Sequence, residues 1–364
     1  MNFKIAVLPG DGIGPEVVAE AVKVLDVVRQ QTNHEFILTY GLVGGVAIVD
    51  SGSALPAETL ELARASDAIL FGAVGNPIFD DPGVRVRPED GLLAMRRELG
   101  LFANLRPVMV YDELVDGVVL KPEVVRGTDL IFVRELTGGL YFGQPKKRGV
   151  ASGGRWAVDS MTYSEQEIER LVRVGFELAR GRRKKLTSVD KANVLESSRL
   201  WREITIEVSR DYPDVLLEHM LVDTCAMRLM LSPRDFDVLA TENTFGDILT
   251  DEASLLAGSM GMLPSASLAG APREGERALG LYEPIHGSAP AIAGQDIANP
   301  IATILTLALL LRYSCALPEE AGRIERAVAR VLRAGNRTGD IMSEGKTLVG
   351  TKGMGDIIAR ELLA

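Results

Sequence analysis

The stretch Gly10-Asp11-Gly12-Ile13-Gly14-Pro15-Glu16, GDGIGPE, follows the apolar run IAVLPG and precedes a segment with helical periodicity. A glycine-rich turn between a strand and a helix suggests the dinucleotide fingerprint G-x-G-x-x-G, whose third glycine lets helix and strand pack closely. Counted from Gly10, that position holds Pro15. The fingerprint therefore fails, and we predict a tight turn that opens an alternating α/β unit, with Pro15 at the start of a helix.

Further apolar runs continue the α/β pattern along the chain. These short runs are typical of buried strands and alternate with amphipathic stretches at helical period. In chain order they are KIAVL, DAILFGAV, DLIFVREL, LTSVDKA, VLLEHMLVD and DVLATEN. The clearest helix start is the capping box Ser164-Glu165-Gln166-Glu167, which opens an apolar stripe. We predict an α/β fold in which the polar, glycine-rich segment 148–161 forms an excursion or arm.

Composition limits the function classes. The 364 residues are 46% hydrophobic and 25% charged, which is ordinary for a soluble globular protein long enough for two domains. A net charge of -10 argues against general binding to nucleic acid or to an anionic membrane, while a local basic pocket for a small acidic metabolite remains possible. The two cysteines, Cys225 and Cys315, are far apart in sequence, so no disulfide framework is indicated and a reducing cytoplasm is expected.

Two aspartates suggest a metal site. Asp247 and Asp251 are four residues apart in NTFGDILTD, so on a helix both carboxylates lie on one face. Two hard oxygen donors suit Mg²⁺ or Mn²⁺, which completes its shell with water and substrate oxygens. Asp223, at the end of the strand-like run LLEHMLVD, is a candidate third donor. The alternative for the pair alone is a solvated helix start, where the helix dipole favours acids.

A second group of residues suits an anionic substrate and proton transfer. Arg96, Arg106 and Arg134 lie in or near apolar runs, where guanidinium groups can bind carboxylates bidentately. Tyr141 follows a glycine pair and can donate a proton, and Lys191 follows a strand-like run and can act as a base. Each of them alone is more often structural. Together with the aspartates they suit oxidation and decarboxylation of a 2-hydroxy acid, with the metal polarising the hydroxyl and stabilising the enolate.

Longer segments around these residues carry a family resemblance. They are GAVG, GLLAMRRELGLFANLRP, VRELTGGLYFG, SVDKANVL, NTFGDILTDEAS, GMLPSASL, EPIHGSAPAIAGQDIANP and VGTKGMGD. Over essentially its whole length the chain resembles the β-decarboxylating dehydrogenases of the isocitrate and isopropylmalate family, and within them the branch that acts on isopropylmalate. The resemblance implies metal-dependent oxidative decarboxylation of (2R,3S)-3-isopropylmalate to 4-methyl-2-oxopentanoate with reduction of NAD, in leucine biosynthesis.

The same resemblance implies an architecture. It is a two-domain α/β open sheet of the isopropylmalate dehydrogenase type, which binds its dinucleotide without a Rossmann fold. Residues 1–102 and 259–364 are expected to form a discontinuous cofactor-binding domain, and 103–258 the substrate, metal and dimerisation domain. A β arm near 148–161 is expected to protrude for dimerisation, so the resemblance implies a homodimer with active sites shared between subunits.

The family pattern assigns roles to residues of this chain. Tyr141 and Lys191 are the expected catalytic residues, with Lys191 supplied by the partner subunit. Metal ligation is expected from Asp247 and Asp251, with Asp223 from the partner. The remaining substrate contacts are Arg96, Arg106, Arg134 and Asp223, with Glu89, Leu92, Leu93 and Val194 setting substrate choice. The cofactor is expected to contact Gly75, Asn76, Glu89, His286, Gly287, Ser288, Ala289 and Asn299, within the segments 75–89 and 286–299.

The cofactor segment departs from the family at one position. The usual HGSAPDIAG has an aspartate that accepts from the adenosine ribose hydroxyls and repels a 2′-phosphate, whereas this chain has Ala291. NAD is still expected, because the lysine and tyrosine of NADP-dependent relatives are also missing there. Asp296 is a hypothetical substitute. Two further departures, Asn76-Pro77 and Thr224-Cys225, remove no proposed catalytic atom.

Three other functions fit parts of the pattern. One is a sister dehydrogenase acting on homoisocitrate, tartrate or malate, which differs in the pocket formed by Leu92, Leu93 and Val194. Another is a metal-dependent phosphate hydrolase built on Asp247 and Asp251, which would reduce no nicotinamide. The third is a catalytically silent binding protein, against which the full set of candidate residues argues.

Overall fold

One mixed β-sheet extends through the computed structural model, which describes residues 1–81, 83–273 and 275–364. The strands are β1 (Asn2–Gly10), β2 (Glu35–Tyr40), β3 (Ala68–Ala73), β4 (Ala103–Met109), β5 (Asp129–Glu135), β6 (Lys147–Ala151), β7 (Gly154–Val158), β8 (Lys185–Asp190), β9 (Leu216–Leu221), β10 (Val238–Thr241), β11 (Pro264–Leu268), β12 (Gly280–Pro284), β13 (Asn336–Arg337) and β14 (Thr347–Leu348). Ten of them form the sheet in the order β2-β1-β3-β12-β11-β4-β5-β10-β8-β9. This order differs from the 3-2-1-4-5-6 order of a Rossmann sheet.

Strand direction divides the sheet into two parallel blocks. The central pairings β12–β11, β11–β4 and β4–β5 are antiparallel, and the pairings on either side of them are parallel. The first five strands in the order come from residues 2–73 and 264–284, and the last five from residues 103–241. The division of the chain into domains at 102/103 and 258/259 stays a prediction.

Helices cover the sheet. They are α1 (Gly14–Gln31), α2 (Gly45–Ser51), α3 (Ala57–Arg64), α4 (Pro88–Glu98), α5 (Pro122–Val125), α6 (Glu165–Arg180), α7 (Glu196–Ser209), α8 (Val222–Leu231), α9 (Asn243–Ser254), α10 (Ile301–Tyr313), α11 (Pro318–Arg333) and α12 (Thr351–Leu363). In α10, every residue from Ile301 to Leu311 is buried, because the helix lies between the sheet and α1 and α11. Among the described residues, no helix is both long and apolar enough to cross a membrane.

Most local predictions agree with the structure. Each of the apolar runs contains a strand, and Ser164 and Glu167 form the reciprocal capping box at the start of α6. The antiparallel hairpin β6–β7 spans 147–158, almost entirely within the predicted segment 148–161, and it leaves Val150 80% exposed. One element was predicted wrongly: β9 ends at Leu221, so Asp223 lies in the first turn of α8 and not in a strand. The short run VLLEHMLVD crosses this boundary without a glycine or proline to mark it.

Candidate active site

A cleft of about 370 Å³ opens beside the ends of β3 and β12. Its lining includes nine of the residues predicted from the sequence: Leu92, Leu93, Arg96, Arg106, Arg134, Tyr141, Asp247, His286 and Gly287. These residues come from α4, β4, β5, α9 and the loop after β12, as well as from the turn Gly139–Tyr141. The fold therefore brings together side chains that are up to about two hundred positions apart in the chain.

Arg106 is held in the cleft by two neutral side chains. It lies in the middle of β4, where its Nε donates to Asn104 Oδ1 at 2.8 Å and its Nη1 donates to Thr250 Oγ1 at 2.6 Å. Burial, together with the positive charges of Arg134 and Arg96, lowers the pKa of Arg106 to about 10. A carboxylate of a ligand would relieve this repulsion between cations.

Arg134 is held in a similar way from α9. Its Nε and Nη2 donate to Asn243 Oδ1 at 3.1 and 2.8 Å, and its Nη1 forms an ion pair with Asp247. The Arg134 side chain is only 6% exposed, whereas Asp247 remains 38% exposed toward the cleft. Asp247 is therefore fixed by a buried cation and still has oxygen surface available for a ligand.

Arg96 completes the cluster from α4. Its Nη2 pairs with Glu283 Oε1 of β12 at 2.5 Å, and both side chains are nearly buried. Sequence reasoning missed Glu283, because the two partners are 187 residues apart. It also missed Asn104, Asn243 and Thr250. A signal for these existed: Asn104 is two residues from Arg106 in a strand, and Asn243 and Thr250 share the helical face of Asp247.

Tyr141 faces Asp247 across the cleft. Its hydroxyl donates to Asp247 Oδ2 at 2.8 Å. Burial, together with this carboxylate, raises the pKa of Tyr141 to about 12, so the phenol is protonated at neutral pH and can donate a proton. The turn that presents Tyr141 is fixed by the buried Glu135, whose carboxylate accepts from the backbone amides of Thr137 and Gly138. Glu135 was also missed from the sequence.

Lys191, Asp223 and Val194 lie outside this cleft. Lys191 follows β8, and its Nζ is 2.7 Å from Asp223 Oδ1, which lowers the pKa of that carboxyl. The Asp223 side chain is 58% exposed, and Val194 is also exposed. Asp251 is near the cleft, where its Oδ1 is 3.7 Å from Arg106 Nη1. Within the described part of one chain, no group of three His, Cys, Asp or Glu residues could hold a metal ion.

Several cofactor candidates converge beside the cleft. A Cβ placed on Gly75 would lie 2.8 Å from Ser288 Oγ and 3.7 Å from Glu89 Oε1, so these three residues are neighbours. His286 Nδ1 is 3.0 Å from Gly287 O, whereas its Nε2 is buried without a hydrogen-bond partner among the described residues. Burial lowers the pKa of His286, so the ring is neutral at pH 7 and Nε2 can bond to a polar ligand such as a nucleotide.

Other cofactor candidates are already engaged within the chain. Asn299 Oδ1 accepts from the backbone amide of Ile301, the first residue of α10, and the Asn299 amide donates to Asp340 Oδ2 at 3.0 Å. Asn76 Oδ1 accepts from Ile78 N at 3.1 Å, and Ala289 has a positive φ of 39°. The hypothetical substitute Asp296 accepts from Lys352 N at 2.9 Å, at the start of α12. In the predicted segment 75–89, residue 82 lies outside the described residues.

Comparisons with known proteins show the family to which the chain is similar. A sequence model of the Isocitrate/isopropylmalate dehydrogenase family matches residues 4–358. The chain is 64% identical over 361 residues to a 3-isopropylmalate dehydrogenase of Dehalococcoides mccartyi, covering 99% of each protein. It is 57% identical over 362 residues to that of Carboxydothermus hydrogenoformans, covering 99% of this chain and 95% of the relative. A crystal structure of isocitrate dehydrogenase from Methylococcus capsulatus superposes with a TM-score of 0.86 at 34% identity, with full coverage of both chains.

Proposed function

Because this chain belongs to the isocitrate/isopropylmalate dehydrogenase family, we propose that it oxidatively decarboxylates (2R,3S)-3-isopropylmalate to 4-methyl-2-oxopentanoate with reduction of NAD. The observation that carries this assignment is the cleft, in which three arginines stand beside Asp247, Tyr141 and the apolar Leu92 and Leu93. Such a cleft suits a dicarboxylate with a branched alkyl group. The reaction is a step of leucine biosynthesis, and the cytoplasm is its proposed location.

The residues around the cleft have separate roles in the proposed reaction: substrate binding, proton transfer and metal ligation. Arg96, Arg106 and Arg134 bind and orient the two substrate carboxylates. The hydroxyl proton goes to Lys191 of the partner subunit, and Tyr141 protonates the carbon that has lost carbon dioxide. Asp247 and Asp251, together with Asp223 of the partner subunit, would hold Mg²⁺ or Mn²⁺. When bound, the metal supplies Lewis-acid stabilisation of the developing oxyanion, and NAD supplies the hydride acceptor.

A second copy of the chain completes the site in this proposal. One chain carries Asp247 and Asp251 at the cleft but pairs Lys191 with Asp223 on a different surface. Helices α8 and α9 leave apolar side chains uncovered, among them Met227 and Ile248, which are 58% and 63% exposed. Such surfaces are typical of an interface with another chain. The exposed β6–β7 hairpin is the proposed dimerisation arm.

The dinucleotide is proposed to lie along Gly75, Asn76 and Glu89 on one side and the His286–Ala289 loop on the other, near Asn299. Among the described residues, His286 Nε2 has no hydrogen-bond partner and Gly287 has open space where a side chain would be, and both observations support this placement. The cofactor-binding domain would then consist of residues 1–102 and 259–364, facing a substrate domain of 103–258.

The direct test of the proposed function follows NADH absorbance with 3-isopropylmalate, Mg²⁺ or Mn²⁺, and NAD or NADP in separate cuvettes. We expect metal-dependent reduction with isopropylmalate turned over well above malate. Turnover of homoisocitrate, tartrate or malate in place of isopropylmalate would keep the mechanism and overturn the substrate. No reduction with any of these acids would overturn the assignment as a dehydrogenase.

Shortening one side chain of the alkyl pocket should weaken substrate selection. Burying the isopropyl group is worth about 2 kcal/mol, at about 0.8 kcal/mol per carbon, which corresponds to roughly thirtyfold. Leu93→Ala removes part of this surface, so we expect kcat/KM for isopropylmalate to fall about tenfold while that for malate changes little. Leu348→Ala, an exposed leucine outside the cleft, is the matched control. An equal fall with both substrates would place the alkyl group elsewhere.

Replacing Ala291 with aspartate should increase the preference for NAD over NADP. Ala291 is exposed beside the His286–Ala289 loop, where an aspartate would accept from ribose hydroxyls and repel a 2′-phosphate. We expect Ala291→Asp to raise the ratio of kcat/KM for NAD over NADP about tenfold. Ala291→Asn has the same size without the charge and should give a smaller change. An unchanged ratio in Ala291→Asp would mean that another group sets cofactor preference.

A further inference from the structure

The turn at residues 10–16 contacts both loops that carry cofactor candidates. Asp11 N donates to Ala73 O at 2.7 Å, and Ile13 N donates to Ser288 O at 2.8 Å. Gly10 and Gly12 have positive φ angles of 69° and 56°. A Cβ on either glycine would lie 2.0 Å from one of these same carbonyl oxygens, so only glycine permits this approach.

The Asp11 side chain adds a second connection to the loop that contains Gly75. It is 3% exposed, and its carboxylate accepts three backbone hydrogen bonds. Oδ2 accepts from Gly45 N at 2.8 Å and from Gly75 N at 3.0 Å, and Oδ1 accepts from Val46 N at 2.8 Å. Gly45 and Val46 form the first turn of α2, whose free amides favour a buried anion. One carboxylate therefore fixes Gly75 to the start of a helix.

Among the residues that bond to the Asp11 carboxylate, Gly75 is the one that belongs to the proposed cofactor site. Its φ is 131°, a conformation that favours glycine, and it lies against Ser288. The arginine cluster is supported differently, by Asn104 of β4, Asn243 and Thr250 of α9 and Glu283 of β12. Loss of the Asp11 carboxylate should therefore disturb one half of the active site and leave the other unchanged.

We propose that Asp11 is a positioning residue for the dinucleotide, which it serves by holding Gly75, the residue that lies against Ser288, to the start of α2. Because Asp11 is buried and its carboxylate is engaged by backbone amides, we expect it to act through Gly75 and not by touching the cofactor. The inference rests on the proposed function, because it takes these two loops as the NAD site. The GDGIGPE stretch does not match the dinucleotide fingerprint. In this proposal it nevertheless helps to position the loops that bind the dinucleotide.

The test is Asp11→Asn, which keeps the size of the side chain but replaces one acceptor oxygen with an amide that faces a backbone N–H. Two quantities are measured: the NADH dissociation constant by fluorescence titration, and the KM values for NAD and isopropylmalate with kcat. We expect the NADH dissociation constant and the KM for NAD to rise about tenfold. The KM for isopropylmalate and kcat at saturating NAD should stay within about twofold of the wild-type values.

Glu20→Gln is the matched control. Glu20 is similarly buried on α1, where it pairs with Lys23, and it faces Gly355 of α12, away from both loops. This variant should lower thermal stability without changing NADH affinity. Equal losses of NADH affinity in the two variants, or equal losses of NADH and isopropylmalate affinity in Asp11→Asn, would reduce Asp11 to a general structural role and overturn the inference.

Two further outcomes keep the inference separate from the proposed function. If the wild-type protein binds no NADH, the proposed function fails and the inference fails with it. If the wild type binds NADH and Asp11→Asn binds it equally well, only the inference fails. Should Asp11→Asn not fold, hydrogen exchange of the wild-type protein decides: the amides of Gly45, Val46 and Gly75 must be protected before NADH is added, and rapid exchange there would overturn the inference.

Discussion

Lys191→Ala is expected to lower kcat by about 10³-fold, within the range that general acid–base catalysis contributes. Isopropylmalate affinity should stay within about twofold, because the arginines proposed to bind the carboxylates lie on other elements and the lysine is proposed to act in the transition state. Steady-state kinetics give the first value, and calorimetric titration with isopropylmalate gives the second.

The control for this change is a lysine of similar surroundings. Lys185 begins β8, the strand that Lys191 follows, and it pairs with Glu218 at 2.8 Å. Lys185→Ala should leave kcat unchanged within about twofold. If Lys191→Ala keeps turnover within a few-fold of the wild type, Lys191 is not the base.

Asp247→Asn is expected to have the second largest effect. This carboxylate is a proposed metal ligand, forms an ion pair with Arg134 and accepts from Tyr141 at 2.8 Å. Its neutralisation should lower kcat/KM by about 10²–10³-fold, the scale on which enzymes lose activity with one preorganised electrostatic group. The Mn²⁺ concentration for half-maximal activity should rise at least tenfold, and direct titration of Mn²⁺ binding checks the same change.

The matched control is an aspartate that also pairs with an arginine but is remote from the cleft. Asp214 accepts from Arg180 at 2.9 Å on the surface. Asp214→Asn should alter neither the Mn²⁺ dependence nor kcat/KM. An Asp247→Asn protein with the wild-type Mn²⁺ dependence would remove this residue from the metal site.

The sequence predicts local features of the site better than contacts between residues that are far apart in the chain. The spacing of Asp247 and Asp251 places both on α9, as predicted, because helical periodicity is a local property. The gathering of Arg96, Arg106 and Arg134 in one cleft was expected from the family resemblance and not from their spacing. Asp223 was assigned to a strand because apolar periodicity alone does not mark the β9–α8 boundary.

The supporting residues were the least predictable. Glu283 holds Arg96 only through tertiary structure. Asn243 shares the helical face of Asp247, but nothing local in the sequence pairs it with Arg134. Asp11 stood in a conspicuous motif, but its proposed function depends on amides of α2 and of the loop after β3. Interactions of this kind follow from the fold as a whole, so a pattern read along the chain does not reveal them.

One requirement of the proposed reaction is that the cleft works only with Lys191 and Asp223 of a partner subunit. It is tested most directly by co-expressing Lys191→Ala and Asp247→Asn chains with different affinity tags and purifying the mixed dimer. In that dimer one site has both substitutions and the other has neither, so we expect about half of the wild-type isopropylmalate dehydrogenase activity. Mixed dimers as inactive as the two parent variants would contradict the claim, since each chain would then use its own Lys191.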